Sequence, residues 1–416
     1  MKRITMVIAG LGGRGHDIYG NYAMEHPDEV EIAAVADPRP ERLELAQREW
    51  NIPAERCFAT AEELFAQPQL ADAAVIATQD RQHVVHAEAA LKGGYHLLLE
   101  KPVAVDIEGC LEVLRLARRY QRHVVVCHVL RYTPFYNAIK RIIEDGRIGE
   151  VVTIQAMEQV GYWHQAHSYV RGNWRRADES SPMILAKCCH DMDILLWMTD
   201  SHCTKVSSFG SLGHFRVESA PEGAPEFCLD GCPHAESCPY DAERIYLRDK
   251  GVHVPVIRKV VSLENTDDSV REALRSGPYG RCVYHCDNDV VDHQVVNLEF
   301  ENGVTASFTM CAFTWEGSRT VKIMGALGQI TGDVEENEIQ VVSFATGNKT
   351  VYRLNTDAAG HSGGDAGFMR DVVRQMQTDG AYAGRTNIAQ SIESHLIALA
   401  AEESRVTGKT IWMTRQ

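Results

Sequence analysis

The sequence predicts an α/β protein: a doubly wound parallel sheet first, then a second α/β domain with a large open, mainly antiparallel sheet. Three observations carry that expectation. Short apolar runs alternate with helical patterns up to about residue 129, as in successive strand–helix–strand units. Longer runs rich in β-branched residues follow at 151–160, 204–212, 294–313 and 319–355, the pattern of consecutive strands in a separate sheet. At 416 residues the chain is long enough for two cores. The domains are expected at 1–128 and 129–416, with a cysteine-rich insert over 213–290 in the second.

Taken in order, ITMVIA (4–9) reads as a short buried strand, and GLGGRG follows at once, setting Gly10, Gly12 and Gly15 in GxGxxG spacing. A helix comes next, then the strand EIAAVAD, which ends on Asp37, 22 residues after Gly15. A glycine loop between strand and helix, followed by an acid at this distance, is the Rossmann dinucleotide fingerprint. The glycines let the backbone approach a pyrophosphate seated on the helix N-terminus. Asp37 would accept hydrogen bonds from ribose hydroxyls and repel a 2′-phosphate, which favours NAD over NADP. Arg14 and Arg39 pull the other way, because either could pair with a phosphate.

The alternation continues through the strand AAVIAT (73–78), the helix HVVHAEAALKGG (83–94) and the strand HLLLEKP (96–102). A helix to about residue 119 and the strand HVVVCHV (123–129) complete it. In such a sheet the ligand lies at the carboxyl ends of the strands, where Thr78 and Lys101 stand. Lys101 follows directly on a buried strand, where a charge is costly without a partner or a task. In the second domain, ENG at 301–303 is a tight-turn signal between two strands. IAQSIESHLIALAAEESR reads as an amphipathic helix ending before Gly408.

The formal charge of −15 argues against a nucleic-acid or anionic-membrane partner. No apolar run is long enough to span a bilayer. The opening MKRITMVIAG resembles a signal peptide only superficially, since its apolar run ends in the glycine turn; a cytoplasmic protein is expected. Five of the twelve cysteines, Cys228, Cys232, Cys238, Cys282 and Cys286, fall in one polar region. In a reducing compartment that clustering points to a structural zinc on Cys228, Cys232, Cys238 and Cys282 ahead of free thiols or a local disulfide, with an iron–sulfur cluster third.

Two polar stretches stand out. GYWHQAHSYVRGNWRR (161–176) crowds aromatics, histidines and arginines without periodicity. It reads as a carbohydrate-binding rim, because aromatic faces stack on pyranose C–H surfaces and Arg or His donate to hydroxyls; His164, His167, Trp174 and Arg175 are the candidates. Arg131 and Tyr132, after the last strand of the first domain, are placed similarly. GHSGGDAGF (360–368) reads as a flexible segment that could bring His361 or Asp365 to the site. The second stretch, ILAKCCHDMDILLW, is expected as a helix over 185–198 with Lys187, His190 and Asp193 on one face. Cys188 and Cys189 point about 100° apart on such a helix and serve as small packing residues rather than as a chelate or disulfide.

These motifs resemble the glucose–fructose oxidoreductase/inositol dehydrogenase (Gfo/Idh/MocA) family over most of the chain. The resemblance rests on AGLGGRG (9–15), VADP (35–38), ATQDRQHVVHAEAAL (77–91), EKPVAV (100–105), CHDMD (189–193) and RTVKIMGALGQITGD (319–333). It implies a Rossmann domain, a second domain with a large open sheet, a homodimer or homotetramer, and hydride transfer between a sugar, polyol or glycoside hydroxyl carbon and a nicotinamide cofactor. His83 and Glu100 lie in its motifs and join the cofactor residues. A hydroxyl-oxidising enzyme needs a base near the cofactor, most often His. The expected catalytic set is Lys101, His190 and Lys187, with Asp193 orienting the imidazole. Less similar members carry an aspartate four residues before the histidine; here that position is Ala186. The competing readings are an NAD-dependent glycosidase working by transient oxidation and elimination, and a non-catalytic NAD-binding sensor.

Overall fold

The computed structural model describes residues 2–249, 251, 253–354, 360–378 and 381–414, without the side chains of 360–362. The first sheet is built from β1 (Ile4–Ala9), β2 (Val30–Ala36), β3 (Cys57–Phe58), β4 (Ala73–Ile76), β5 (His96–Leu99) and β6 (Val124–Val126). Its order is β3-β2-β1-β4-β5-β6 and all its pairings are parallel. Helices cover both faces, so β4 is buried at every position and reads as a continuous apolar run. The strand order reverses between β1 and β4, which opens a ligand crevice outside their carboxyl ends.

The second sheet comprises β7 (Val151–Gln159), β8 (Cys203–Ser211), β9 (His293–Phe300), β10 (Thr305–Cys311), β11 (Ser318–Gly325), β12 (Gly328–Asp333), β13 (Glu338–Ser343), β14 (Lys349–Arg353) and β15 (Ile411–Trp412). Its order is β14-β13-β12-β11-β7-β10-β9-β8-β15, antiparallel except where β10 runs parallel to β7. Burial alternates along β9 and β10: one face packs on helices and the other is open, as expected of a one-sided antiparallel sheet. Gly303 takes a positive φ of 83° in the turn joining these two strands. The fold class therefore matches the expectation.

The C-terminal segment crosses back onto the first domain. Phe368, Met369, Val372, Val373 and Met376 of the helix Gly360–Gln377 enter the core on one face of the parallel sheet. Ile388, Ile392 and Leu396 of the helix Ile388–Thr407 enter the core on the other. The backbone at 386–387 also pairs with the edge strand β6. The segment 360–368, expected to be a flexible loop, begins a long helix instead. Its Asp365 is buried and paired with Arg14 at 2.9 Å; the side chain of His361 lies outside the described residues.

The insert has a small core of its own, including Phe215, Tyr240, Tyr246, Val270 and Leu274. It packs on the helical turns Tyr162–His164 and Gln165–Arg171, whose second part is buried throughout. Among the described residues no helix is long and apolar enough to cross a membrane.

Candidate active site

The glycine loop is shaped by contact. Gly10 has φ +93°, and a Cβ there would lie 2.3 Å from the Ala77 carbonyl oxygen; one on Gly15 would lie 1.8 Å from the Gly10 carbonyl oxygen. Only glycine allows strand, loop and helix to close this tightly. Gly12 differs: the nearest atom to its missing Cβ is Arg42 Nη1 at 3.8 Å, so open space lies over the helix that starts at Gly13. This is the cradle a pyrophosphate needs. Asp37, buried at the end of β2, accepts from the backbone N–H of Leu11 (2.7 Å) and Arg39 (3.0 Å) and from Arg42 Nη1 (3.3 Å). Three donors occupy three of about four lone-pair positions, so the carboxylate can accept from one more. Arg42, which the sequence reading missed, has no motif signal; only the fold brings it to Asp37.

Several expected cofactor contacts are engaged elsewhere. The Arg14 guanidinium turns inward, donating to Glu100 Oε1 (2.5 Å), Asp365 Oδ1 (2.9 Å) and Tyr19 Oη (2.8 Å), which corrects its expected pairing with a phosphate. Its reason is Glu100, a buried acid that needs a cation. Burial pushes the Glu100 carboxyl up, but the charge of Arg14 and the hydrogen bonds from Tyr19 and Arg14 outweigh it and hold the group down at about 2. His83 is also turned from the ligand crevice: its ring nitrogens face the carbonyl oxygens of Pro102 (2.6 Å) and Thr78 (3.0 Å), tying two strand-end loops together. The Thr78 hydroxyl is bonded to His86 Nδ1 at 2.9 Å. Arg39 is exposed.

Lys101 stands at the end of β5, before a cis peptide bond to Pro102. Its ammonium donates to the Ala186 carbonyl oxygen at 2.6 Å. His395, from the helix Ile388–Thr407, accepts from the Val103 N–H at 3.0 Å and fixes the same loop from behind.

The stretch Ile184–Trp197 is not one helix. It breaks into Met183–Ala186 and Cys189–Thr199, with Lys187 and Cys188 in the turn between them. The break separates the expected polar face. Lys187 turns toward Glu158 on β7, Nζ to Oε1 3.4 Å, while His190 lies one turn on, buried and edge-to-face with His128 at 5.7 Å. Asp193 is fully buried and takes a two-pronged pair from Arg131, both bonds 2.7 Å. That pair corrects the expectations of Arg131 as a substrate contact and of Asp193 as a substrate contact orienting the His190 imidazole, since each neutralises the other. Tyr132 likewise donates to Asp371 Oδ2 at 2.7 Å.

The rim stretch divides too. His164 lies within electrostatic reach of Lys187 and Lys101: burial lowers its pKa most, and Lys187, His167 and Lys101 lower it further, so its imidazole is neutral. His167 is corrected to a packing residue, buried, bonded to Tyr246 Oη at 2.9 Å and stacked on Tyr279 at 4.8 Å. Its aromatic surroundings dock the insert. Trp174 Nε1 donates to Asp80 Oδ1 at 3.2 Å, and Ser181 donates to the other oxygen at 2.7 Å. Asp80 thereby seats the 174–181 segment on the first domain. Arg175 is taken by Asp287 and Glu179.

Among the described residues no group of three or more His, Cys, Asp or Glu side chains is placed to hold a metal. All twelve cysteines are free. The zinc site expected on Cys228, Cys232, Cys238 and Cys282 is therefore corrected to thiols. Burial raises the Cys238 and Cys286 thiols and pushes Cys282 up to about 11. Cys286 Sγ faces the Cys282 carbonyl at 3.3 Å, and Cys228 Sγ faces Arg171 at 3.6 Å.

With this geometry in hand, comparison with known proteins is direct. Residues 4–128 match the profile of an oxidoreductase family with an NAD-binding Rossmann fold, and residues 140–412 match that family's C-terminal alpha/beta domain. YteT of Bacillus subtilis (strain 168), a protein named as an oxidoreductase, is 24% identical over 395 residues, covering 89% of this chain and 88% of that protein. An inositol 2-dehydrogenase of Corynebacterium glutamicum (strain R) is 24% identical over 206 residues, 49% of this chain and 57% of that enzyme. Among solved structures, an Agrobacterium radiobacter oxidoreductase in complex with NAD+, L-tartaric acid and magnesium shares the fold at TM-score 0.70 and 16% identity, covering 99% of this chain and 98% of that one. Two matched domains spanning nearly the whole sequence settle the family: this chain is a Gfo/Idh/MocA oxidoreductase.

Proposed function

We propose that the protein is an NAD-dependent oxidoreductase that moves a hydride between a CH–OH carbon of a small carbohydrate or polyol and nicotinamide. One observation carries the reading: the Lys101 ammonium, at the carboxyl end of a strand of the NAD-binding sheet, is bonded to the carbonyl of Ala186, just before Lys187 and four residues before His190. Nicotinamide, when bound, supplies the hydride acceptor. Lys101 spends one N–H on Ala186 and keeps two for a substrate oxygen. His190 accepts the hydroxyl proton and Lys187 polarises the same oxygen. The neutral His164 accepts from a neighbouring hydroxyl, and Trp174 offers the aromatic surface for a sugar ring. Asp37, with its remaining acceptor position, favours NAD over NADP. The match to an enzyme named inositol 2-dehydrogenase supports a polyhydroxylated substrate.

The test is a panel of free sugars, polyols including myo-inositol, and p-nitrophenyl glycosides, each incubated with the protein and NAD+. NADH formed in proportion to substrate supports the reading; aglycone release without net NADH would replace it with transient oxidation and elimination. Lys101→Ala should reduce kcat on the order of 10²–10⁴-fold while NAD+ binding persists, and unchanged turnover would remove Lys101 from the site.

A further inference from the structure

Lys187 is the half-buried end of a chain of charges that is otherwise buried. Glu158, next to last in β7, is 2% exposed and stands 3.4 Å from Lys187 Nζ through Oε1. Its Oε2 lies 2.7 Å from Arg319 Nη2, and the two residues face each other in the β7–β11 register. Arg319 Nε donates to Asp191 Oδ1 at 2.8 Å, and its Nη2 lies 3.4 Å from Oδ2. Asp191 directly follows His190. The sequence Lys187–Glu158–Arg319–Asp191 thus starts in the turn after Ala186 and ends in the first turn of the helix Cys189–Thr199, on either side of His190. Two strands of the second sheet grip the segment at those two points.

Such a network is costly to bury, and apolar residues of similar volume would hold sheet to helix at least as well. What the network presents is Lys187. Lys187 sits at the helix break, outside regular i, i+4 geometry, and no carboxylate of its own segment bonds it: Ala186 precedes it, and Asp191 is committed to Arg319. Among the described residues its carboxylate partner is Glu158, Nζ to Oε1 3.4 Å. Lys187 and Lys101 both act electrostatically on His164 of the 162–164 turn, and Tyr136 and Tyr169 feel the charge of Glu158.

We propose that Glu158 is the positioning residue of the reaction: from the neighbouring sheet it holds the Lys187 ammonium toward the substrate oxygen, with Arg319 and Asp191 fixing the carboxylate. The acid absent at position 186 is supplied across the sheet. This rests on the catalytic reading of Lys187 given above.

The experiment is Glu158→Gln, with Glu158→Asp as the conservative control, each in the full chain with NAD+ bound and checked for an unchanged circular dichroism spectrum. Competitive acetylation of lysines, read by mass spectrometry with the surface residue Lys2 as internal reference, reports the freed amine. Lys187 labelling should rise severalfold in the Gln variant, as the amine is released from its carboxylate partner, and Glu158→Asp should restore most of the wild-type value. With the best panel substrate, kcat should fall on the order of 10²-fold with the KM for NAD+ unchanged, and Glu158→Gln should add little to Lys187→Met. Unchanged labelling, or an equal loss of kcat in the Lys187→Met background, overturns the proposal. If no panel compound is turned over by the wild type, the functional reading fails and the labelling decides the Glu158 contact alone. If Glu158→Gln does not fold, Glu158→Met, which keeps the side-chain volume without the charge, decides by the same labelling: Lys187 labelling must rise or the contact is refuted.

Discussion

Glu100 shows what a single side chain does for the site without touching a ligand. Its carboxylate lies behind Lys101, pinned by Arg14 and Tyr19 and capped by the Lys101 backbone N–H at 3.2 Å. A buried carboxylate with three donors is rigid, so the lysine after it inherits a fixed backbone. The group's pKa is held down to about 2 from the usual 4.5. A depressed carboxyl contributes stability that is present above its unfolded value and lost as pH falls through the folded one. The window here runs from about 4.5 down to about 2, and the contribution is roughly 3 kcal/mol. Replacing Glu100 by Gln removes the titration. Urea unfolding of the two proteins should therefore differ most at neutral pH and converge as the pH drops toward about 3. A constant difference at every pH would mean that shape and hydrogen bonding, not charge, make Glu100 matter.

At the scale of elements, Arg171 is one of the residues that join the insert to the site's flank, beside His167 with its contacts to Tyr246 and Tyr279. Arg171 is fully buried between the 165–171 turn and the insert, donating to the carbonyl oxygens of Arg281 and Tyr240, both at 2.7 Å. Arg171→Met keeps the apolar stem and strands two buried acceptors, at about 1–3 kcal/mol each. Limited proteolysis should then cut within 213–290 far sooner than in wild type, while the rest of the chain stays resistant; equal cutting rates would show that the insert holds by its apolar core alone. The motif elements around it were legible because each obeys a local rule. The glycine loop, the strand ends at Thr78 and Lys101, the Asn-Gly turn and the C-terminal helix all follow from spacing and period. What could not be read was direction. Arg14, Arg131 and His167 sit beside ligand-facing positions in sequence, yet each is drawn inward by a buried partner far along the chain: Asp365, Asp193 and Tyr246. Likewise the break at Lys187–Cys188 has no glycine or proline to announce it. One signal was present and unused: Glu158 occupies an inward position of an alternating strand, in step with Ile154, where an acid needs a specific partner.

The whole molecule is less divisible than its two matched profiles imply. The chain leaves the first sheet after β6, builds the second, and returns to cover both faces of the first. Eight apolar side chains make that return: Phe368, Met369, Val372, Val373 and Met376 on one face, Ile388, Ile392 and Leu396 on the other. At about 1.5–3 kcal/mol each their burial is worth about 12–24 kcal/mol as an upper estimate, as large as or larger than the roughly 5–15 kcal/mol that holds a typical domain. The N-terminal domain therefore depends on residues that follow it by more than two hundred positions. Residues 1–128 produced alone should lack a cooperative thermal transition and bind NAD+ weakly, even though every glycine-loop residue is present. Joining 360–414 to that fragment through a flexible linker should restore both the transition and the binding. Cooperative unfolding of 1–128 by itself, at a midpoint near that of the intact chain, would show that the returning helices merely cover a core already complete. The same return carries His395 to the backbone of Val103 and Asp365 to Arg14, so the helices that finish the core also brace the loop that presents Lys101. A joined fragment that folds but is mutated at His395 to Ala should keep its stability to within about 1–3 kcal/mol, the cost of one unsatisfied buried N–H, and that small loss separates bracing of the loop from completion of the core.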